Sequence, residues 1–159
     1  MGVQELLIGI DPGINKCGWA LVNLNGSLYA SGIVQPRIPA GWFEAMTLTG
    51  ERRIKLLMPW IKERSGFYSD EHVTYVILGT GTGCDIIKEQ LKNYYSESSI
   101  ILTEEKFTTL KARELYWKLH PAGGLWGFLP VSLLKPPRDI DDLAAWAIVL
   151  HKIETEKGE

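Results

Sequence analysis

Three acidic placements in this chain could act together: Asp11, the pair Glu104-Glu105, and the group Asp139, Asp141 and Asp142. Each falls where an apolar segment begins or ends, so a rigid element is expected to hold each carboxylate. Hard divalent cations such as Mg²⁺ take oxygen ligands and keep several waters, so two or three carboxylates suffice to bind one. Two such ions about 3.5–4 Å apart can activate a water and stabilise the leaving oxygen in phosphodiester cleavage. Each placement also has a plainer role. Asp11 precedes Pro-Gly and could simply organise that turn. Asp139 and Asp142 have the spacing of a helix cap and its dipole partner, and Glu104 and Glu105 could be solvated charges.

The elements that must position these acids can be read from the apolar pattern. Val3–Ile10 is too continuously apolar to face water on one side and predicts a buried strand ending at Asp11. Gly18–Leu24 and Leu28–Val34 follow as two strands joined by Asn25-Gly26, a strong hairpin signal. A Pro/Gly-rich loop leads to an expected helix from about Trp42 to Arg64, with Ile54, Leu57, Met58 and Ile61 on one face and Pro59 expected to kink or divide it. Val73–Leu78 predicts a fourth strand running into Gly79-Thr-Gly-Thr-Gly83, then a helix over Asp85–Tyr95. Ser99–Thr103 predicts a fifth strand, and Thr108 or Thr109 caps a helix with Ala112, Leu115, Tyr116 and Leu119 on its apolar face. The last helix is expected from near Asp139 to about Ile153 and is apolar on every side over Leu143–Leu150, which predicts deep burial against the sheet. A hairpin-linked trio of strands followed by alternating helices and strands predicts an α/β fold with a mixed sheet.

With 159 residues, one domain with a single sizeable core is expected, spanning 1–153 with a polar tail at 154–159. The net charge of −2 advertises no polyanionic partner in bulk, although a local basic face can coexist with an acidic metal site. Cys17 and Cys84 lack any CxxC spacing, which argues against a zinc site or disulfide framework and for a reducing cytoplasm. The chain enters a strand almost at once, without signal-peptide character, and no apolar stretch approaches the roughly 18–20 residues needed to span a bilayer.

The motif Ile8-Gly-Ile-Asp11-Pro-Gly13-x-x-Lys16-x-Gly18 resembles the first motif of the RuvC/YqgF branch of the RNase H-like nucleases. Glu104-Glu105-Lys106-Phe107-Thr108-Thr109 resembles that branch's Asp-Glu-Arg-Leu/Phe-Thr-Thr, and Asp141-Asp142-Leu-Ala-Ala-Trp-Ala147 its last motif, an aspartate followed by an Ala-rich helix. The three occur in the family's order and cover nearly the whole chain. The resemblance implies an RNase H-like fold, a five-stranded mixed sheet in the order 3-2-1-4-5 flanked by helices. It also implies hydrolysis of phosphodiester bonds with two Mg²⁺ or Mn²⁺ ions, in branched DNA as by a Holliday junction resolvase or in precursor rRNA. By position Asp11, Glu105 and Asp141 would be metal ligands, with Glu104, Asp142 and Asp139 as further candidates. Lys106 stands at the arginine of the middle motif. Lys16, Lys106, Lys111, Arg113, Lys135 and Arg138 are the cations expected to meet nucleic acid. A resolvase would be a homodimer, because a junction has two symmetric strands to cut.

The chain also departs from this pattern. Resolvases carry a glutamate at the end of the fourth strand, where Gly79–Gly83 stands here. A catalytically inactive relative that binds nucleic acid or protein is therefore the competing expectation. An actin/sugar-kinase-like ATPase, whose phosphate loop also has Asp-x-Gly before a hairpin, needs two lobes where 159 residues supply one. The basic residues Arg52, Arg53, Lys55, Lys62 and Arg64 could track a phosphate backbone or form a solvated face. Trp42, Trp126 and Phe128 lie in expected loops and could stack on bases or cover a core edge. His72, His120 and His151 have no ligand spacing and are expected to be structural.

Overall fold

The structure, a computed structural model, describes residues 5–65, 70–104, 106 and 108–158. A single sheet runs through it, built from β1 (Glu5–Asp11), β2 (Cys17–Asn23), β3 (Leu28–Val34), β4 (Ile61–Arg64), β5 (His72–Gly79) and β6 (Ile100–Thr103). Its order is β4-β3-β2-β1-β5-β6, with β1 antiparallel to β2 and parallel to β5. The five expected strands thus lie in the expected 3-2-1-4-5 order, in a mixed sheet flanked by helices.

The sixth strand is a correction. The segment expected as one helix from Trp42 to Arg64 is instead α1 (Ala40–Thr47), α2 (Gly50–Leu57), a 3-10 turn at Met58–Trp60 and strand β4. Ile54 and Leu57 are buried on α2, but Met58 is exposed and Ile61 has left the helix for the edge of β3. Pro59 is the physical reason that α2 ends where it does. It sits in the 3-10 turn and cannot donate a hydrogen bond to continue α2. Beyond it, Ile61-Lys-Glu-Arg64 alternates between half-buried and exposed, the period of a strand.

Both faces of the sheet are covered, so β1 alternates between two cores. Leu6, Ile8 and Ile10 pack with Trp19, Leu21, Trp42, Phe43 and Leu57 on one side. Leu7 shares the other side with Ala20, Ile77 and two helices, α4 (Thr108–Leu119) and α5 (Asp141–Lys157). Trp42 is therefore a core residue, edge-on to Trp19 and Phe43, and its indole is not offered to solvent. Arg53 is likewise fully buried, with Nη2 donating to the Glu71 carbonyl, and is no part of a solvated basic face. Neither Cys17 nor Cys84 forms a disulfide. Among the described residues no helix is long and apolar enough to cross a membrane.

Helix α5 is the element that matters most for the site. Every residue from Leu143 to Val149 is buried. It continues to Lys157, so residues 154–157, expected in a polar tail, form its last turn. Glycines on adjacent strands let it lie this close. A methyl group on Gly9 would run into the Ala145 carbonyl and Val149, and one on Gly18 into the backbone of Asp141. At its middle, Trp146 Nε1 donates to the carbonyl of Gly26 at 2.9 Å, tying α5 to the β2–β3 turn.

One stability prediction arises from the opposite core. Burial pushes the Tyr95 phenol up to about 12, against the downward pull of Arg53. An unfolded chain releases that proton near pH 10 while the native state keeps it to about 12, so folding stability is intact below pH 10 and falls across this window. Tyr95→Phe should remove up to about 2–3 kcal/mol of that alkaline loss. Denaturant unfolding at pH 9 and 11.5 measures it, and an unchanged pH dependence in the variant would refute the assignment.

Candidate active site

The sheet ladder sets Asp11, the last residue of β1, opposite Gly18 on β2. Because Gly18 has no side chain, the first turn of α5 rests on it, and Asp141 arrives beside the end of β1. Asp11 and Asp141 accordingly line one cleft of about 310 Å³, together with Lys16, Asp139, Arg113, Lys135 and Arg138. Their charges also meet at Cys17: burial is the main reason its thiol is driven well above the ordinary range, and Asp11 and Asp141 both add to the shift. Cys17 is thereby kept a neutral thiol, an unreactive wall behind the carboxylates.

The third aspartate of the cleft is already engaged. Asp139 Oδ2 lies 2.6 Å from Lys16 Nζ, and this contact holds the Asp139 carboxyl below its usual range. The same hydrogen bond raises Lys16, with the charges of Asp139 and Asp141 adding to it against partial desolvation. Lys16 thus sits in the cleft as a firm cation.

Asp142 lies elsewhere. It is fully buried and does not line the cleft. Its Oδ2 accepts from Ser31 Oγ at 2.7 Å, and its Oδ1 from Arg138 Nη1 at 2.8 Å. Arg138 Nη2 reaches on to Glu63 Oε1 at 2.8 Å, which is also 2.6 Å from His120 Nε2. Burial opposes the Arg138 charge, but the bonds to Asp142 and Glu63 outweigh it and hold the guanidinium above its ordinary pKa. Arg138 also stands over the Tyr116 ring, 5.6 Å from its centroid. The second aspartate of the pair, a further ligand candidate, and the arginine before it, expected to meet nucleic acid, are thus joined in a tie between α5 and strands β3 and β4. Sequence reasoning missed Ser31 and Glu63. The signals were a lone serine in the apolar run Leu28–Val34 and an acid at an inward position of Ile61–Arg64.

Removing one partner of this tie leaves the other charge buried and unpaired. Arg138→Ala should therefore cost roughly 2–4 kcal/mol, the scale of a broken buried pair discounted for the partial exposure of the arginine. Urea unfolding checks this, and a cost under about 0.5 kcal/mol would mean the tie holds nothing.

The Glu104-Glu105 motif divides. Glu104 is exposed, pairs with Lys106 at 3.3 Å, and lines a second cleft with Lys106, Lys111 and Glu154, apart from Asp11 and Asp141. Glu105 and Phe107 lie outside the described residues. Among the described residues no group of three or more His, Cys, Asp or Glu is gathered closely enough to hold a metal ion. Of the expected nucleic-acid contacts, Lys16, Arg113, Lys135 and Arg138 line the cleft of Asp11, whereas Lys106 and Lys111 line the other. The loop Gly79–Gly83 supplies no acid at the end of β5. It approaches the Asp11-Pro-Gly13 loop instead, with Gly83 in a left-handed conformation against the Gly13 backbone.

Neither a protein-family model nor a curated protein matches the chain. Among solved structures it is similar to the Thermus thermophilus RuvC structure, at 16% identity over 96% of each chain with a TM-score of 0.44.

Proposed function

We propose that this protein is a divalent-metal-dependent endonuclease that hydrolyses phosphodiester bonds in structured nucleic acid, with Asp11 and Asp141 as ligands. The observation that carries this reading is the meeting of these two carboxylates in one cleft rimmed by Lys16, Arg113 and Lys135. The donor set fits a hard divalent ion, since Mg²⁺ is commonly bound through one or two carboxylates plus substrate phosphate oxygens. A second ion would call on Glu105, the remaining ligand of the motif. When bound, such ions polarise the phosphodiester and activate water. The chain's own residues do the rest. Asp11 and Asp141 are fixed by the end of β1 and the start of α5, so the reacting phosphate would meet a preformed site. Arg113 and Lys135 would contact the flanking phosphates, and Lys16 would place positive charge beside the scissile group.

Branched DNA and precursor rRNA are the two substrate classes to compare. A four-way junction, a blunt duplex and a precursor-rRNA fragment should each be incubated with Mg²⁺, with Mn²⁺ and with chelator. Metal-dependent cleavage of one structured substrate is expected, and a homodimer in solution should accompany junction cleavage. A second reading, a binding domain without turnover, is favoured by Gly79–Gly83 in place of an acid and by the separate cleft of Glu104. Binding of nucleic acid or protein with neither cleavage nor a carboxylate-dependent Mn²⁺ site would establish that second reading instead.

A further inference from the structure

An exposed apolar feature lies in the segment between α4 and α5. Leu125, Trp126, Phe128 and Leu133 are 85%, 65%, 86% and 70% exposed, although each is a residue type that ordinarily covers a core. The feature is built by the fold. Trp117 Nε1 donates to the Leu134 carbonyl at 3.2 Å, and Leu129 N to the Trp126 carbonyl at 3.2 Å. Gly124 takes a φ of 63°, which turns the chain so that residues Gly124–Phe128 form a 3-10 turn carrying both aromatics. Trp126 and Leu133 join Trp117 and Pro121 around a groove of about 480 Å³.

Two observations identify what this groove receives. Lys135 lines both the groove and the cleft of Asp11 and Asp141, so the two are continuous through one cation. The stretch Leu115–Arg138 contains no aspartate or glutamate, and with Arg138 already tied to Asp142 and Glu63 it leaves Lys118 and Lys135 as a local positive balance in a chain of net charge −2. Aromatic faces beside cations, free of acids, suit bases that stack while their phosphates meet lysine. A second copy of the chain is the poorer fit. A two-fold contact through this patch would bring each copy's cations together with no acid in the stretch to offset them.

We infer that Trp126, at the groove, and Phe128, exposed two residues beyond it on the same 3-10 turn, stack on unpaired nucleobases, with Lys135 holding the phosphate between groove and cleft. This inference rests on the nucleic-acid reading above and adds that the bound substrate has single-stranded character next to the scissile bond. Base-paired DNA keeps its π faces inside its own stack, so these two aromatics discriminate for unpaired strands.

The test measures anisotropy of a labelled oligo(dT) and of a labelled blunt duplex in chelator, so that binding is read without cleavage. The Trp126→Ala/Phe128→Ala protein should bind oligo(dT) about tenfold or more weakly, the scale of one lost stacking contact. Duplex binding should stay unchanged, and Trp126→Tyr should restore most of the oligo(dT) affinity. Both side chains are exposed, and a retained melting temperature verifies the fold of the variants. Equal oligo(dT) affinity in the double variant overturns the proposal. So does a wild-type dimer that the double variant converts to monomer without loss of oligo(dT) binding, which would make a second copy the occupant. Asp11→Asn separates the two readings: if it leaves cleavage intact the catalytic assignment fails, while the binding difference of the aromatic pair still decides the stacking.

Discussion

Gly18→Ala is expected to destabilise the fold by roughly 3 kcal/mol or more, at or beyond the upper end of the usual overpacking cost. The added methyl would collide with the backbone of Asp141, which unlike a side chain has no alternative rotamer. Neither wall can yield cheaply. Gly18 lies between β1 and β3 in the sheet, and α5 is buried from Leu143 to Val149. For a chain of this size the loss corresponds to a fall of roughly 6–12 °C in the melting temperature. The effect should also reach the cleft, because lifting the first turn of α5 moves Asp141 away from Asp11. Gly9→Ala strikes the same helix farther along, at Ala145 and Val149. Two substitutions acting through one displaced helix should not add, so the double variant should fall short of the summed losses. Calorimetry of the three proteins measures this. A Gly18→Ala protein melting within a degree or two of its parent would mean that α5 is not seated on that glycine.

The largest effect on activity is expected at Asp11. Asp11→Asn keeps the size of the side chain while removing its charge, and a neutral amide is a poor substitute for a carboxylate toward a hard cation. Losing an outer-shell partner of a metal ligand already costs roughly 10–100-fold, so loss of a ligand should cost more than about 100-fold in cleavage. Asp141→Asn should match it, since both carboxylates line the same cleft. Mn²⁺ titration supplies a readout that does not depend on knowing the substrate, and both variants should weaken that site. Glu104→Gln offers the contrast. Its side chain lines the second cleft beside Lys106, so its effect should be small. Cleavage that survives Asp11→Asn, or that disappears in Glu104→Gln alone, would remove the assignment.

The frame of the site was legible because it depends on local patterns. The unbroken apolar run of β1, the Asn25-Gly26 turn and the all-round apolar stretch of α5 each state their burial without reference to the rest of the chain. The turn behaves as its residues predict: Gly26 takes a φ of 87°, and Asn23 Oδ1 accepts from the backbone of Asn25 and Ser27. Beyond Pro59 the reading failed, since Ile54, Leu57, Met58 and Ile61 satisfy a helical spacing that a 3-10 turn and an edge strand then break. The aspartates show the deeper limit. Asp139, Asp141 and Asp142 are nearly indistinguishable in sequence, yet one pairs with Lys16, one lines the cleft with Asp11, and one is buried against Ser31 and Arg138. Rotation about a helix start separates these fates, and the partners that fix it are distant in the chain.

The seating of α5 on β1 and β2 also has a consequence in time. Synthesis proceeds from the N-terminus, so Asp11 and its hairpin leave the ribosome long before Asp141 does. Until α5 emerges, the apolar groove over Gly9 and Gly18 has no cover, and the carboxylate at its end has no neighbour from that helix. The nascent chain therefore passes through a period when its apolar groove is open and the two aspartates are apart. Docking of one helix ends both conditions together, so Asp11 and Asp141 come to share a cleft only once the chain has finished folding.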